Sequence, residues 1–557
     1  MRIHGKGNVA RLFLTLCCVT LVAGACGSGG DDNEGGEAAQ GGTEKSGGRL
    51  VFGADQDFPG YNVNTVKDNT LAGGQIMKQV WSGAYRVKPD FSLEPDVLAG
   101  EATVTSEDPF TVEWKIKPEA AWDDGTPISS DDFELYWQMC NGKDKEASCA
   151  STTGFDLISK LDKPDGKTVM ATFAQPFSDY KSLFDDIPPS HIIKQRAAGG
   201  SLVVAWNTSL DTDPGAASGP FKVAERVKGA SLKLVRNDKY WGTKPKLDEI
   251  IFRFLPESTT QPDALRNGEV NMIYPQPQLD QVETVKGFPE VHSEINFGPT
   301  FEHLTLNTKN EFLADKAVRQ AIAYGVDRAA IVTRLMKPFS DKASQLDNRL
   351  LVSTQKGYEA HGQEYAELNV AKAISALEGA GFKKGATGIM EKGGKKLSLR
   401  LSTTAGNKLR EQQGVLIQAQ LKDVGIDIRI DNSPAETLFG ERLPGGNFDI
   451  ANFAWVGTPF PAAGGYQIYQ SASGSNFGKY NNKTVDQKLL AALAETDEVS
   501  RLGLLNEIDK MMWEDLPNIP LYQKPTFLAY NTKYANISDN TTEESPFWNS
   551  EAWAEKA

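Results

Sequence analysis

Histidine is scarce in this chain, with five in 557 residues. The four beyond the amino-terminal stretch, His191, His292, His303 and His361, stand apart with no metal-ligand spacing. The sequence has no H-E-x-x-H pair, no G-x-S-x-G nucleophile elbow and no Walker A loop. Its one run resembling a glycine fingerprint, GAGFKK at 379–384, lacks the third glycine and closes an apolar helical pattern instead of opening one, so it reads as a helix cap. The adjacent acids Asp131 and Asp132 read as a helix terminus, where carboxylates suit the dipole. Nothing here asks for bond-making chemistry, and no enzyme, metal or cofactor is expected. Basic charge is also short: 59 Lys and Arg stand against 73 Asp and Glu, a net −14, which excludes binding to a phosphate backbone. Long apolar runs are absent too. The readable one, Leu12–Val22, is too short to span a bilayer comfortably.

A chain this long exceeds one hydrophobic core, so several domains are expected. Arg2, Lys6 and Arg11 precede the Leu12–Val22 run, and Ala23, Gly24 and Ala25 follow it, the pattern of a secretory signal over 1–25. "LVAGAC" resembles a bacterial lipobox, which implies cleavage before Cys26 and a lipid on its thiol, anchoring the protein to the outer face of the cell membrane. Residues 26–48, rich in Gly and acids and without large apolar side chains, read as a disordered tether between lipid and body. Only Cys140 and Cys149 remain in the body. Their short spacing in an oxidising compartment predicts a disulfide; a metal pair is the rival, disfavoured because no His is near.

The body opens on a strand, RLVFGA. Val112, Trp114 and Ile116 alternate with Thr111, Glu113, Lys115 and Lys117 as a second strand, Asp124-Gly125 signals a turn, and Ser130 is the expected cap of the next helix. Asp315 can cap a helix carrying Val318, Ala321 and Ile322 on one face, and Asn369 another carrying Val370, Ala373 and Leu377. The segment "AWDDGTPISSDDF", then "SGPFKV" with "RNDKYWGTKPKLDEIIFRFLPESTTQPDALRNGEVNM", then "LTLNT" and "DKAVRQAIAYGVDRAAI", resembles in order the blocks of the family 5 solute-binding proteins of peptide and nickel ABC transporters. The resemblance spans nearly all of the chain from Gly48. It implies an α/β fold of type II periplasmic-binding-protein kind: two α/β lobes joined by a hinge, plus an extra α+β domain. The expected division is 49–85, 216–303 and 523–557 for lobe I, 86–215 for the extra domain and 304–522 for lobe II. It also implies a monomer that takes a peptide or peptide-like solute and meets ABC permease subunits.

Leu397, Leu399 and Leu401 alternate along a strand, Asn407 to Val424 reads as a helix closed by Gly425, and "IDIRI" follows as the next strand, a parallel βαβ unit. A further strand, "FDIANFA", ends where the uncharged loop "AWVGTPFP" begins. Ligands of open α/β sheets sit beyond the carboxyl ends of strands, so Trp455, Val456, Gly457, Thr458 and Phe460 are candidate contacts. In the resembling family this loop often reads Trp-x-Ala-Asp, its Asp meeting a peptide's α-amino group. Here Thr458 stands at the Asp position, and a hydroxyl cannot neutralise a buried ammonium. Asp55, Asp57, Tyr61 and Asn62, in the loop after the first strand, are candidate contacts from lobe I, where an acid could replace the missing one, Asp57 first. Asn307 and Asn476 are candidate polar contacts from lobe II, and Tyr466 and Tyr469 could join Phe460 around a side-chain pocket. Two other functions share this pattern: a non-transport envelope lipoprotein of glycolipid or glycan assembly, and a transport receptor for a non-peptide cargo.

Overall fold

A computed structural model describes residues 44–557. Cys26, the signal and most of the expected tether lie outside the described residues. The tether's last residues do not run free: Glu44 and Lys45 pair antiparallel with Lys556 and Glu555, and Lys246 forms an ion pair with Glu44.

The elements used below are, in chain order, β1 Arg49–Ala54, α1 Leu71–Val80, β2 Thr103–Glu107, β3 Phe110–Lys115, α2 Ser130–Cys140, β4 Ile158–Asp165 and β5 Thr168–Phe173. They continue with β6 Phe221–Val227, β7 Ser231–Arg236, β8 Glu249–Phe254, β9 Met272–Ile273, β10 Val291–Leu306 and α3 Lys316–Gly325. The last are β11 Ser398–Ser402, α4 Lys408–Val424, β12 Asp427–Ile430, β13 Ile450–Trp455, α5 Pro461–Tyr469 and β14 Asn518–Asn531.

One ten-stranded sheet runs through both lobes in the order β12-β11-β13-β10-β14-β9-β1-β8-β7-β6. Its centre is the antiparallel pair β10 and β14, 16 and 14 residues long, which reach from one lobe into the other. Their register breaks between Phe297 and Phe301, around Gly298 and Pro299. A break in the ladder removes paired hydrogen bonds and leaves a place to bend. The expected boundaries at 303 and 522 both fall within these two strands.

Local causes account for the elements on either side. The βαβ unit forms as the sequence predicts: β11 and β12 are parallel, Asn407 accepts a hydrogen bond from Arg410 N, and Gly425 at φ +90° ends α4. Asp315 caps α3 by accepting from Ala317 N. The cap of α2 is Ser129 and not Ser130, because Asp132 reaches back to the Ser129 amide at 2.8 Å and completes a capping box. Such a cap stabilises a helix by about 1 kcal/mol.

In the extra domain, the sheet β2-β3-β5-β4 packs with α2 around the buried Trp114, Trp122 and Phe133. Trp122 is core, and Asp123 ties this domain to lobe I by accepting from Ala217 N at 2.9 Å. The Sγ atoms of Cys140 and Cys149 are at bonding distance, with Cα atoms 5.3 Å apart. The carboxyl terminus returns to lobe I, where Phe547 meets Phe52 of β1 edge-on at 5.0 Å.

Candidate ligand-binding cavity

A cavity of about 800 Å³ lies where the lobes and the extra domain meet. Lobe I contributes Asp55, Asn69 and Lys78; the extra domain contributes Tyr136, Ser151, Asp185 and Asp186. Lobe II contributes Arg410, Val456, Thr458 and Phe460, and the chain around β14 and the carboxyl terminus adds Lys524, Glu543 and Glu544. The extra domain closes one side by direct contact. Ser178 N donates to Leu493 O at 2.6 Å, and Asp179 accepts from Ala463 N, in the first turn of α5, at 2.8 Å.

The loop after β13 reaches this cavity as expected, and its residues divide by role. Val456, Thr458 and Phe460 line the space, with Val456 60 % exposed. The Thr458 hydroxyl accepts from Phe460 N at 3.2 Å and shapes the turn into α5. Gly457 is there for packing: a Cβ at this position would sit 2.3 Å from Pro299 O of β10. Trp455 turns away, stacking on Phe477 at 5.7 Å and on His303 at 6.1 Å.

The other predicted contacts sit elsewhere, each held by partners that sequence could not name. Asp57 accepts from Gly229 N at 2.8 Å and pairs with Arg226 at 3.2 Å, so it is not the substitute acid; its neighbour Asp55 lines the cavity instead. Tyr61 is buried against Phe58 at 5.0 Å. Asn62 is buried and donates to Trp206 O at 2.7 Å. Asn307 donates to Phe448 O at 2.9 Å and Gly446 O at 3.1 Å, bracing the turn before β13. Asn476 donates to Tyr480 O at 2.7 Å and, with Trp455, borders a separate void of about 20 Å³. Tyr466 packs half-buried outside the cavity, and Tyr469 is core, its hydroxyl accepting from Asn518.

Two charged clusters face the cavity, and the sequence reading found neither. The first gathers at the hinge strands. Arg410 from α4 forks onto Glu302 of β10, Nη2 to Oε1 at 2.8 Å and Nε to Oε1 at 3.1 Å, with Lys524 of β14 3.8 Å from the same carboxylate. Burial pushes Glu302 up, but Arg410 and Lys524 outweigh it and leave the carboxyl below its usual range. Burial, then Arg410, pulls Lys524 down to about 8. Burial raises Asp55. The second cluster sits around Lys78 of α1, whose Nζ lies 3.0 Å from Asp185, 3.3 Å from Glu544 and 3.9 Å from Asp186. Burial and the neighbouring acids push Asp186 well up despite Lys78. Glu543 is pushed up to about 7, by burial first.

Comparison with known proteins decides the class. The model of the bacterial extracellular solute-binding proteins, family 5 (middle region), matches residues 93–477. The chain belongs to that family. Among family members, the oligopeptide-binding protein OppA of Mycobacterium tuberculosis is 29 % identical over 499 residues, 88 % of this chain and 83 % of that protein. The solved structure of a periplasmic EDTA-binding protein, EppA, superposes with a TM-score of 0.88 at 28 % identity, covering 93 % of this chain and 98 % of the other. Bacillus subtilis AppA, solved with a nonapeptide, shares the fold with a TM-score of 0.81 at 22 % identity over 92 % of this chain and all of its own (100 %). The expected family and two-lobed α/β fold with an extra domain are those found, and the family's work is extracellular solute binding.

Proposed function

We propose that this protein captures peptides or peptide-like solutes between its lobes and presents them to an ABC importer, held at the outer face of the membrane by a lipid on Cys26. The observation that carries this reading is the cavity of about 800 Å³, walled by both lobes and bordered by two strands whose pairing breaks between Phe297 and Phe301. That volume falls within the roughly 300–1,000 Å³ range of small-solute sites. A solute touching both walls shifts the lobes toward closure, because it gains contacts only in the closed form. Val456, Thr458 and Phe460 supply the lobe II contacts, Thr458 without a countercharge. Membership of a family that includes a mycobacterial oligopeptide-binding protein supports the peptide class.

Native mass spectrometry of protein purified from its own cells, before and after mild unfolding to release cargo, tests the cargo. Released peptides support the reading, whereas a released glycolipid or metal chelate replaces it. In the same cells Cys26→Ser should leave the membrane fraction or stay unprocessed, and equal membrane retention of the mature variant removes the anchor.

A further inference from the structure

We propose that the corner of the cavity built by Lys78, Asp185, Asp186, Glu543, Glu544 and Ser545 is a subsite for a cationic group of the cargo, an ammonium or guanidinium. The inference rests on the peptide reading above and narrows it: this receptor prefers solutes that place a positive charge against that corner.

Three distant segments make the corner. Lys78 comes from α1 of lobe I, Asp185 and Asp186 from the extra domain, and residues 543–545 from the returning carboxyl terminus. The position of Asp186 is set by a chain of hydrogen bonds, Tyr136 OH to Asn64 Oδ1 at 2.6 Å and Asn64 Nδ2 to Asp186 O at 3.0 Å. Four carboxylates thus face one buried ammonium, and Lys78 lies within 3.9 Å of three of them. Its hydrogen bonds go to Asp185 alone, at 3.0 and 3.2 Å, and Glu544 and Asp186 share its charge without a hydrogen bond.

Glu543 is the fourth acid. It lines the cavity, is exposed to it, and has no hydrogen bond or ion pair within contact distance among the described residues. Beside it, Ser545 is 1 % exposed, lines the same cavity, and its Oγ has no partner among the described residues. A buried polar atom without a partner is uncommon in a folded protein and marks a place where something else supplies the bond. An unpaired carboxylate and an unpaired hydroxyl together present acceptors, which suits a donor carrying positive charge. An anionic group would meet repulsion there. At the other end of the cavity, Arg410 and Lys524 are already opposed by Glu302 and Asp55, so no comparable excess exists.

The crowding gives the subsite a pH signature. The groups facing Glu543 are Lys78 from α1, Asp185 from the extra domain and Glu544 beside it; Asp186 and Tyr136 lie behind Lys78, and Arg86 faces Glu544. Although its side chain opens on the cavity, the enclosing walls desolvate Glu543 and push it up to about 7, with Asp185 and Glu544 adding to the rise and Lys78 opposing it. A cation favours the ionised carboxylate, so its binding strengthens as pH rises through that value and releases a proton.

Calorimetry on the full mature protein with four pentapeptides of one sequence provides the test. Each carries either lysine or acetyl-lysine at the centre, and either a free or an acetylated amino terminus. The wild type is expected to lose tenfold or more in affinity when the charge in the corner is removed. Glu543→Gln is expected to shrink that difference to threefold or less, roughly. Asp185→Asn serves as the second variant if the first is poorly folded, with thermal unfolding to check both. Equal binding of all four peptides overturns the cationic subsite and leaves the peptide reading standing, and so does a preference undiminished in both variants. Argininamide and 1,5-diaminopentane separate the remaining cases. If no peptide binds but these stabilise the wild type and not Glu543→Gln, the subsite stands and the peptide reading falls. If no probe binds at all, both fall.

Discussion

The two ends of the cavity use the same side-chain chemistry to opposite effect. At the hinge end, two cations and two acids are interleaved, and Arg410 meets Glu302 through a fork of short hydrogen bonds. At the other end, Lys78 is outnumbered four to one, and the surplus acid is exposed to the cavity. A balanced, fully bonded cluster holds strands in register; an unbalanced one stores a demand for positive charge. Burial is common to both, so partner count decides which is scaffold and which is open to a ligand.

The sharpest way to break the comparison is to remove the central cation of each end. Arg410→Met leaves Glu302 buried with only a distant Lys524, and should cost about 3–5 kcal/mol of unfolding free energy in urea titrations. Lys78→Met should cost less, and its cost should shrink in acid, because crowded carboxylates can take up protons. The sign follows from Glu543, raised to about 7 in the folded protein. Between the ordinary value of ~4.3 and that point the native state binds more protons than the unfolded one, so stability from this corner falls as pH rises. An Arg410→Met protein as stable as the wild type would show that the fork is decorative.

A smaller effect is expected from the tether of the acidic end. Cys149 lines the cavity next to Ser151 and joins Cys140 nine residues away. Cys149→Ser, or reduction, should lower stability by about 2–3 kcal/mol, since closing a ring of this length restricts the unfolded chain by that much. Free thiols in protein isolated without reductant would remove the bond from the account.

The smallest change adds a charge where lobe II has none. Thr458→Asp puts a carboxylate on the opposite wall and makes both walls acidic. Calorimetry with a free and an amino-acetylated peptide should then show the free amine gaining about tenfold over the wild-type ratio. No change would mean that the amino terminus of the cargo does not reach this loop.

Much of the fold was legible from local pattern. The Asn407 cap, the Gly425 stop, the parallel β11 and β12, and the placement of the loop after β13 on the cavity all have causes within a few residues. The candidate site was legible only where it depended on strand ends. Val456, Thr458 and Phe460 reach the cavity, whereas Asn307 and Asn476 spend their amides on backbone carbonyls nearby, which is the ordinary fate of a buried amide. Asp57 and Asp55 are two residues apart, yet only Asp55 faces the cavity, because Arg226 of β6 claims the other.

From sequence alone came the class of the protein, the two-lobed architecture implied by its ordered blocks, and the elements whose periodicity and caps are local. Tertiary structure alone decided which charges meet. Lys78, Asp185 and Glu543 lie in three separate segments, and nothing near any of them in the chain marks it as part of a cluster. Helix caps and strand alternation act over one turn or one pleat, so they are written in short stretches of sequence. The protonation of a carboxylate depends on how many charges the folded chain brings within a few ångströms, and that number exists only once distant segments have packed.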